Sequence, residues 1–263
     1  EVVSARLAAR RMIGGGWAAR AAAYSGFRPA TLNELHRPFR VGNDLTEANA
    51  GLVPEALHGV EAGLVFEGPI SALTASLFWN RIEDAIVNVT VGEGPGTFPR
   101  AGFVPAGGVL RQRQNAGTIE ASGVEISGRR ALSLGLDLTG AVSITDARVD
   151  GGSSVPQLTG LRPAQAPIWS ASAGVDWRAT DRLSLGARAR YESKRFDDDL
   201  NSRVLSAAVT MDARVDWRAN DSAWFWLAVD NLFDVDVEVA ETGSGVEGFG
   251  PPRTLSVGVR LAY

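Results

Sequence analysis

The residues best equipped for chemistry are arginines with amide neighbours. Arg37, Arg40 and Asn43 lie within one short stretch, and Arg111, Gln112 and Arg113 in another. A guanidinium is always charged and grips a carboxylate through two parallel N–H donors. The chemistry on offer is therefore capture of an anionic ligand. Pairing of the same arginines with glutamates of this chain is the competing reading. Other constellations are weaker. His36 and His58 are the only histidines, and a long irregular segment separates them. Asp197-Asp198-Asp199 could hold calcium through carboxylate oxygens, but it reads more simply as a solvated acidic loop tip. Gly92-Glu93-Gly94-Pro95-Gly96 imitates a phosphate loop without the lysine or helix that must follow, so it reads as a flexible loop. Cysteine is absent, which removes disulfides and thiolate metal sites. No Ser/His/Asp arrangement is present. The sequence therefore predicts no enzyme, no metal and no cofactor.

Composition narrows the classes further. The net charge of -4 argues against a nucleic-acid partner, which would call for a basic chain. Hydrophobic residues make up 45%, yet no run of ~20 uncharged apolar residues exists, so a membrane helix is excluded. A membrane β-barrel stays open, because alternating strands keep the mean hydropathy near zero. Lys194 is the sole lysine, which reads as genome bias. No leader opens the sequence, so any targeting segment is expected outside it.

The elements that would carry these arginines follow a period of two. Leu255, Val257, Val259, Leu261 and Tyr263 share one face of the terminal stretch; Thr254, Ser256, Gly258, Arg260 and Ala262 share the other. Such alternation marks a strand between two unlike environments. The same pattern recurs up the chain. Leu7 and Ala9 oppose Arg6 and Arg10, and after Gly14-Gly15-Gly16 the chain returns with Trp17, Ala19, Ala21 and Ala23 aligned. Val60, Ala62, Leu64 and Phe66 align before the turn Glu67-Gly68-Pro69, and Leu73, Ala75, Leu77 and Trp79 after it. Residues 70–91 and 109–129 read as two long strands, the second with bulges at Gly117 and Gly123. Leu134, Leu136, Leu138, Val142 and Ile144 align next, then Trp169, Ala171, Ala173, Val175 and Trp177. Leu183 to Tyr191 and Val209 to Trp217 repeat the pattern, the latter opposite Asp212, Arg214 and Asp216. In Ala223 to Phe233 both faces are partly apolar and the outer one is not assigned. Residues 26–55, 92–108, 150–164, 197–202 and 234–250 are the connecting loops; the first holds a short helix with Thr31 as cap and Glu34 at the third position.

This gives eleven strands, mostly of ten residues or more, where soluble strands run ~5–6. Connections alternate between short turns and mostly long loops. Apolar faces end in aromatics beside the short turns: Phe66, Trp177, Trp217 and Tyr263. Trp169 and Trp177 bracket one face across eight steps, which at ~3.3 Å rise and ~40° tilt span ~20 Å, near the height of a membrane-barrel apolar band. A soluble β-sandwich or propeller explains the alternation, but not the strand length or the one-sided short turns.

Several stretches then resemble the C-terminal part of a TonB-dependent outer-membrane receptor. They are Phe27-Arg28-Pro29-Ala30-Thr31-Leu32-Asn33-Glu34-Leu35, Val229-Asp230-Asn231-Leu232-Phe233-Asp234 and the aromatic-ended last strand. Phe78-Trp79-Asn80-Arg81-Ile82, Gly123-Val124-Glu125 and Asp198-Asp199-Leu200-Asn201-Ser202-Arg203 are similar to the family too, so the likeness runs from about residue 20 to the end. The resemblance implies an all-β fold: an antiparallel transmembrane barrel of twenty-two strands, of which residues 1–263 are the C-terminal half. It also implies a plug, absent from this sequence, through which a TonB-type protein powers uptake of a scarce nutrient such as a ferric siderophore or cobalamin.

On that footing the long loops face outward from a Gram-negative cell and the short turns face the periplasm. Phe66, Trp169, Trp177, Trp217 and Tyr263 form aromatic girdles. Leu255, Val257, Val259, Leu261 and Tyr263 form the signal read by the barrel-assembly machinery. The arginine group contacts either the ligand, whose oxygens suit guanidinium, or lipopolysaccharide phosphates. Eleven strands leave two edges whose unpaired groups each cost several kcal/mol in lipid, so this stretch alone is not a closed barrel. A passive porin, an outer-membrane hydrolase and a soluble β binding module are the competing functions. Burial of Trp177, Trp217 and Tyr263 in one common core would overturn the membrane reading.

Overall fold

The computed structural model describes residues 3–132 and 135–262. In chain order the elements are β1 (Ala5–Gly14), β2 (Trp17–Arg28), α1 (Leu32–His36), β3 (Phe39–Val41), β4 (Asp44–Glu47), β5 (Glu55–Glu67), β6 (Ser71–Glu83), β7 (Ile86–Glu93), β8 (Gly96–Phe98), β9 (Gly102–Val104), β10 (Val109–Asn115), β11 (Thr118–Leu132), β12 (Leu136–Asp150), a 3-10 turn (Pro156–Leu158), β13 (Trp169–Arg178), β14 (Leu183–Glu192), β15 (Arg195–Phe196), β16 (Val204–Leu205), β17 (Ala208–Arg218), β18 (Ala223–Asp230), β19 (Glu238–Glu241), β20 (Glu247–Phe249) and β21 (Thr254–Leu261).

Eleven of these strands form one sheet in the order β1-β2-β5-β6-β11-β12-β13-β14-β17-β18-β21. Every neighbour is the next wall strand in sequence, and every pairing is antiparallel. This is the predicted meander. Its edges, β1 and β21, do not pair with each other, so the sheet is an open wall. Register is held by the alternation itself, because a slip of one residue would turn every apolar side chain to the polar side. Phe66 faces Leu73, Leu77 faces Val124, Val142 faces Ala171, Val175 faces Ala187 and Val215 faces Leu227 across the ladders. The resulting apolar face lies open, with Leu77 61% and Val257 73% exposed. Trp169, Trp177 and Trp217 stand on it exposed rather than in a shared core. Trp17 packs on Phe66 with ring centroids 5.1 Å apart, next to the first short turn. Leu134 and Tyr263 lie outside the described residues.

The opposite face is polar and internally paired. Arg10 reaches Glu67 at 3.1 Å, Tyr24 donates to Asn80 at 2.8 Å, and Arg214 grips Asp216 at 2.7 Å. Asp212 pairs with Arg190 at 3.4 Å. The unassigned strand resolves here. In β18, Phe225 and Leu227 take the apolar face opposite Trp217 and Val215, so Trp224 and Trp226 take the polar one. Arginine makes that placement tolerable: Arg214 lies 4.5 Å from the Trp226 ring, and Arg260 lies 5.4 Å from Trp224.

Three expectations need correction. The strands predicted over 70–91 and 109–129 have the right extent, but each breaks. Asp84 adopts φ 53 and Gly117 φ 71, and the chain leaves the wall there. Above the break β7 and β10 pair with each other, so the hairpin bends from the wall into a separate ribbon. Gly123 is not a bulge, for both its ladders run unbroken. A Cβ there would meet the Ile144 carbonyl first and the Phe78 ring at 2.7 Å, so the close approach requires glycine. The glycine-rich stretch at 92–96 is not a loose loop either: the Gly94 N–H donates to the Gly108 carbonyl at 2.8 Å, and β8 pairs with β9 beyond it.

The long connections are built, not slack. β3, β4, β10 and β7 form a second sheet in that order, with β10 parallel to β4 and antiparallel to β7. Val89, Ala116, Val149, Val155 and Leu158 bury one another beneath it, with Leu161 and Leu200 packed against the cluster. Among the described residues this buried apolar core thus sits among the loops.

Candidate functional site

The helix that opens the first connection is capped as predicted. Thr31 Oγ accepts the Glu34 N–H at 3.3 Å, and the Glu34 carboxylate accepts the Thr31 N–H at 2.7 Å. Arg28, at the top of the wall, also holds Glu34 at 3.0 Å. Burial disfavours the Glu34 charge, but these donors outweigh it and keep the carboxyl below its ordinary value. The helix thereby sits at a fixed angle beside β10.

A cavity of 370 Å³ opens between that helix, the β7–β10 ribbon and the loops after β12 and β14. Arg111, Arg113 and Arg162 line it, as do Glu34, Asp197, Asp198 and Asp199. Arg111 and Arg113 share one face of β10 through simple alternation. Arg111 donates to Asp44 at 3.3 Å, and its Nε is buried with no protein partner. Arg113 donates to the Asn33 carbonyl and lies 5.2 Å over the Phe39 ring. Arg162 donates to Asp146 at 2.8 Å. Its backbone is clamped by Asn201, which accepts the Arg162 N–H at 2.8 Å and donates to the Arg162 carbonyl at 2.9 Å. Asn201 manages this at φ 57, a conformation asparagine tolerates better than most residues.

The acidic run departs from the solvated tip expected of it. Asp198 is only 2% exposed and accepts from the Ser202 N–H, the Ser202 hydroxyl and the Arg203 N–H at 2.9, 2.7 and 2.8 Å. Burial alone would raise its pKa. The Arg203 and Ser202 donors and the nearby Arg203 charge override this and lower it. Asp199 accepts the Thr90 N–H and hydroxyl at 2.8 and 2.7 Å, which ties this loop to β7. Asp197 accepts from Gln165 at 2.8 Å. Among the described residues no group of three metal-ligating side chains converges.

Of the six residues singled out in the sequence, the structure brings Arg111 and Arg113 to the cavity. Gln112 points from the other side of β10 and accepts from Gln114 at 3.0 Å. Arg37 and Arg40 are exposed nearby, with Arg40 3.4 Å from the Phe103 carbonyl. Asn43 sits at the β3–β4 turn, outside the lining. Sequence reasoning missed Arg162, whose only local signal is the Pro163 that follows it. It also missed the role of the Asn231 motif. Asn231, at φ 52, donates to Val235 at 2.9 Å and Pro251 at 3.4 Å, closing both ends of the last long loop.

An antiparallel wall with an open apolar face, carrying a loop-built polar cavity at one end, defines a membrane-spanning β-barrel of the receptor type. The chain belongs to the TonB-dependent receptor-like β-barrel family, whose sequence pattern matches residues 3–232. That family consists of integral β-barrels of the outer membrane, and its members are transport receptors rather than enzymes. The chain is 27% identical over 255 residues to the iron-regulated outer membrane virulence protein of Vibrio cholerae, covering 94% of this chain and 37% of that protein. It is 35% identical over 129 residues to the ferrichrome outer membrane transporter/phage receptor of Escherichia coli K12, covering 45% of this chain and 16% of that one. The fold superposes on the ferric yersiniabactin uptake receptor FyuA of Yersinia pestis with a TM-score of 0.73 at 19% identity, over 97% of this chain and 36% of that one. The chain therefore spans little more than a third of the length of the relatives it matches most fully. No helix among the described residues is long and apolar enough to cross a membrane.

Proposed function

We propose that this chain supplies the C-terminal half of the barrel of a receptor that takes up a ferric siderophore, driven by a TonB-type protein acting through a plug. The observation that carries this reading is the hydrogen-bonding capacity left in the cavity. Its aspartates are largely spent on donors within the protein, Asp198 on its own loop, Asp199 on Thr90 and Asp197 on Gln165. Its guanidinium groups are not: among the described residues Arg111 donates through Nη2 to Asp44 and Arg162 through Nη2 to Asp146, which leaves their other N–H groups without a protein acceptor. Spare donors around a cavity suit an oxygen-rich anionic chelate. The similar proteins include a ferrichrome transporter and a ferric yersiniabactin uptake receptor, so iron chelates are the ligand class to test first. Arg37 and Arg40, exposed beside the cavity, meet the incoming ligand first. Asn43 and Gln112 act in this reading only through the loop frame.

The test uses the full-length receptor in Gram-negative cells stripped of their own siderophore receptors. Uptake of radiolabelled iron chelates should appear with the receptor and vanish when the TonB-type partner is deleted. Uptake that persists without that partner would mean a passive channel instead. Phe66, Trp169, Trp177 and Trp217 form the aromatic girdles against lipid and lipopolysaccharide in this reading. Leu255, Val257, Val259, Leu261 and Tyr263 are the strand recognised by the assembly machinery. Deleting Tyr263 should lower outer-membrane levels sharply while detergent refolding changes by only ~1–3 kcal/mol. Normal membrane levels would remove that role.

A further inference from the structure

We propose that Asp44 is a positioning residue: it holds the Arg111 guanidinium on the cavity wall and fastens the last long loop to the same point. The consequence for ligand binding rests on the function proposed above; the positioning itself does not. Asp44 is only 6% exposed and lies outside the cavity lining. Its carboxylate gathers donors from two parts of the chain, β10 and the last long loop. It accepts the Val109 N–H at 3.1 Å, the Gly243 N–H at 3.3 and 3.2 Å on its two oxygens, and Arg111 Nη2 at 3.3 Å. The approach of residue 243 is tight. A Cβ there would lie 2.6 Å from Val109 Cγ2 and 2.7 Å from the Gly107 carbonyl, so the contact requires glycine.

Arg111 is the one member of this knot that also lines the cavity. Its side chain is 15% exposed, and a guanidinium so far out of water needs a counter-charge. Asp44 provides it from behind. With Nη2 anchored there, the guanidinium stays at the cavity wall, already oriented. Without the Asp44 charge, Arg111 would turn away toward solvent and Gly243 would lose its acceptor. Asp44 thus acts through Arg111, and it need never touch a ligand.

Arginine reactivity tests this without any ligand. In the full-length receptor purified in detergent, phenylglyoxal labelling is followed peptide by peptide. Asp44→Asn should speed labelling of Arg111 at least threefold and leave Arg162, held by Asp146, unchanged. Asp44→Glu, which keeps the charge, should restore most of the protection. Should Asp44→Asn fail to fold, Asp44→Ser gives the same readout. An unchanged Arg111 rate overturns the proposal.

Binding of ferric enterobactin then supplies a double-mutant cycle. Asp44→Asn and Arg111→Gln should each weaken it about tenfold, and the double variant should bind no more weakly than Arg111→Gln alone. Additive losses would make Asp44 an ordinary structural contact and overturn the proposal. A wild-type receptor that binds no iron chelate removes the ligand reading, and the labelling rates then decide the role of Asp44 on their own.

Discussion

The wall and the loop cap handle the same side chains in opposite ways. On the wall, apolar residues such as Leu77 and Val257 stand in the open, while charges pair across the other face. In the cap, Leu158 and Val89 are each 1% exposed, as in a small water-soluble domain. The difference is one of solvent. Hydrocarbon offers no hydrogen bonds and no hydrophobic penalty, so the wall needs satisfied backbone ladders and an apolar exterior. Water forces the cap to hide its apolar groups and to spend its polar ones on each other. One chain therefore contains two stability regimes, which meet where Asp84 and Gly117 turn the backbone out of the sheet.

Substitutions that treat the regions alike should give unlike results. The largest effect is expected in the cap. Leu158→Ala empties part of the buried cluster and should cost ~2–5 kcal/mol of local stability. Hydrogen exchange should quicken at Val149 and Val155 while the wall strands stay protected; uniform loosening would mean that the two regions are one cooperative unit. Next comes Leu77→Arg on the wall. Near the bilayer midplane it should cost ~2–4 kcal/mol when folding is measured into lipid vesicles. A cost near zero would place residue 77 away from the hydrocarbon.

Asp198 sharpens the comparison through pH. Its carboxyl has a lowered pKa when folded, so its contribution is complete above the ordinary aspartate range and is lost as pH falls through that range to the folded value. Proteolysis of residues 197–203 should accelerate across that window, by an amount equivalent to ~1–3 kcal/mol, before the wall opens. Asp198→Asn should abolish this pH dependence. The smallest effect belongs to the polar face of the wall. Asp216→Ala breaks the exposed pair with Arg214 and should change refolding by no more than ~1 kcal/mol. A larger loss would show that this face is desolvated in the assembled receptor.

Much of the wall was legible in advance. The period of two in stretches such as Trp169–Trp177 set which residues face lipid, and the short-turn spacing set the meander. The Thr31–Glu34 capping box was equally readable, because both partners lie within one turn. The break at Asp84 is not legible, since a positive φ leaves no trace in the hydrophobic pattern, and Gly117, legible as a bulge, is an exit from the wall. In β18, Trp224 and Trp226 defeated the pattern because cation–π contacts from Arg214 and Arg260 let aromatics sit on a polar face. The acidic run looked solvated because the donors that occupy Asp199 come from Thr90, far off in sequence.

The site divides along the same line. By itself, the sequence determined that Arg111 and Arg113 share one side of a strand, that no thiolate chemistry is present, and that eleven amphipathic strands alternate with long loops. Those are properties of neighbouring residues, and local periodicity encodes them. Only the tertiary structure decided that Arg162 and the 197–199 aspartates join the arginines at one cavity, and that Asp44 meets Gly243 across most of the chain. Such meetings depend on which loop ends the wall brings side by side. Once those ends are fixed, backbone donors and carboxylates shielded from water must find one another, since leaving them unpaired would cost more than the loops could recover.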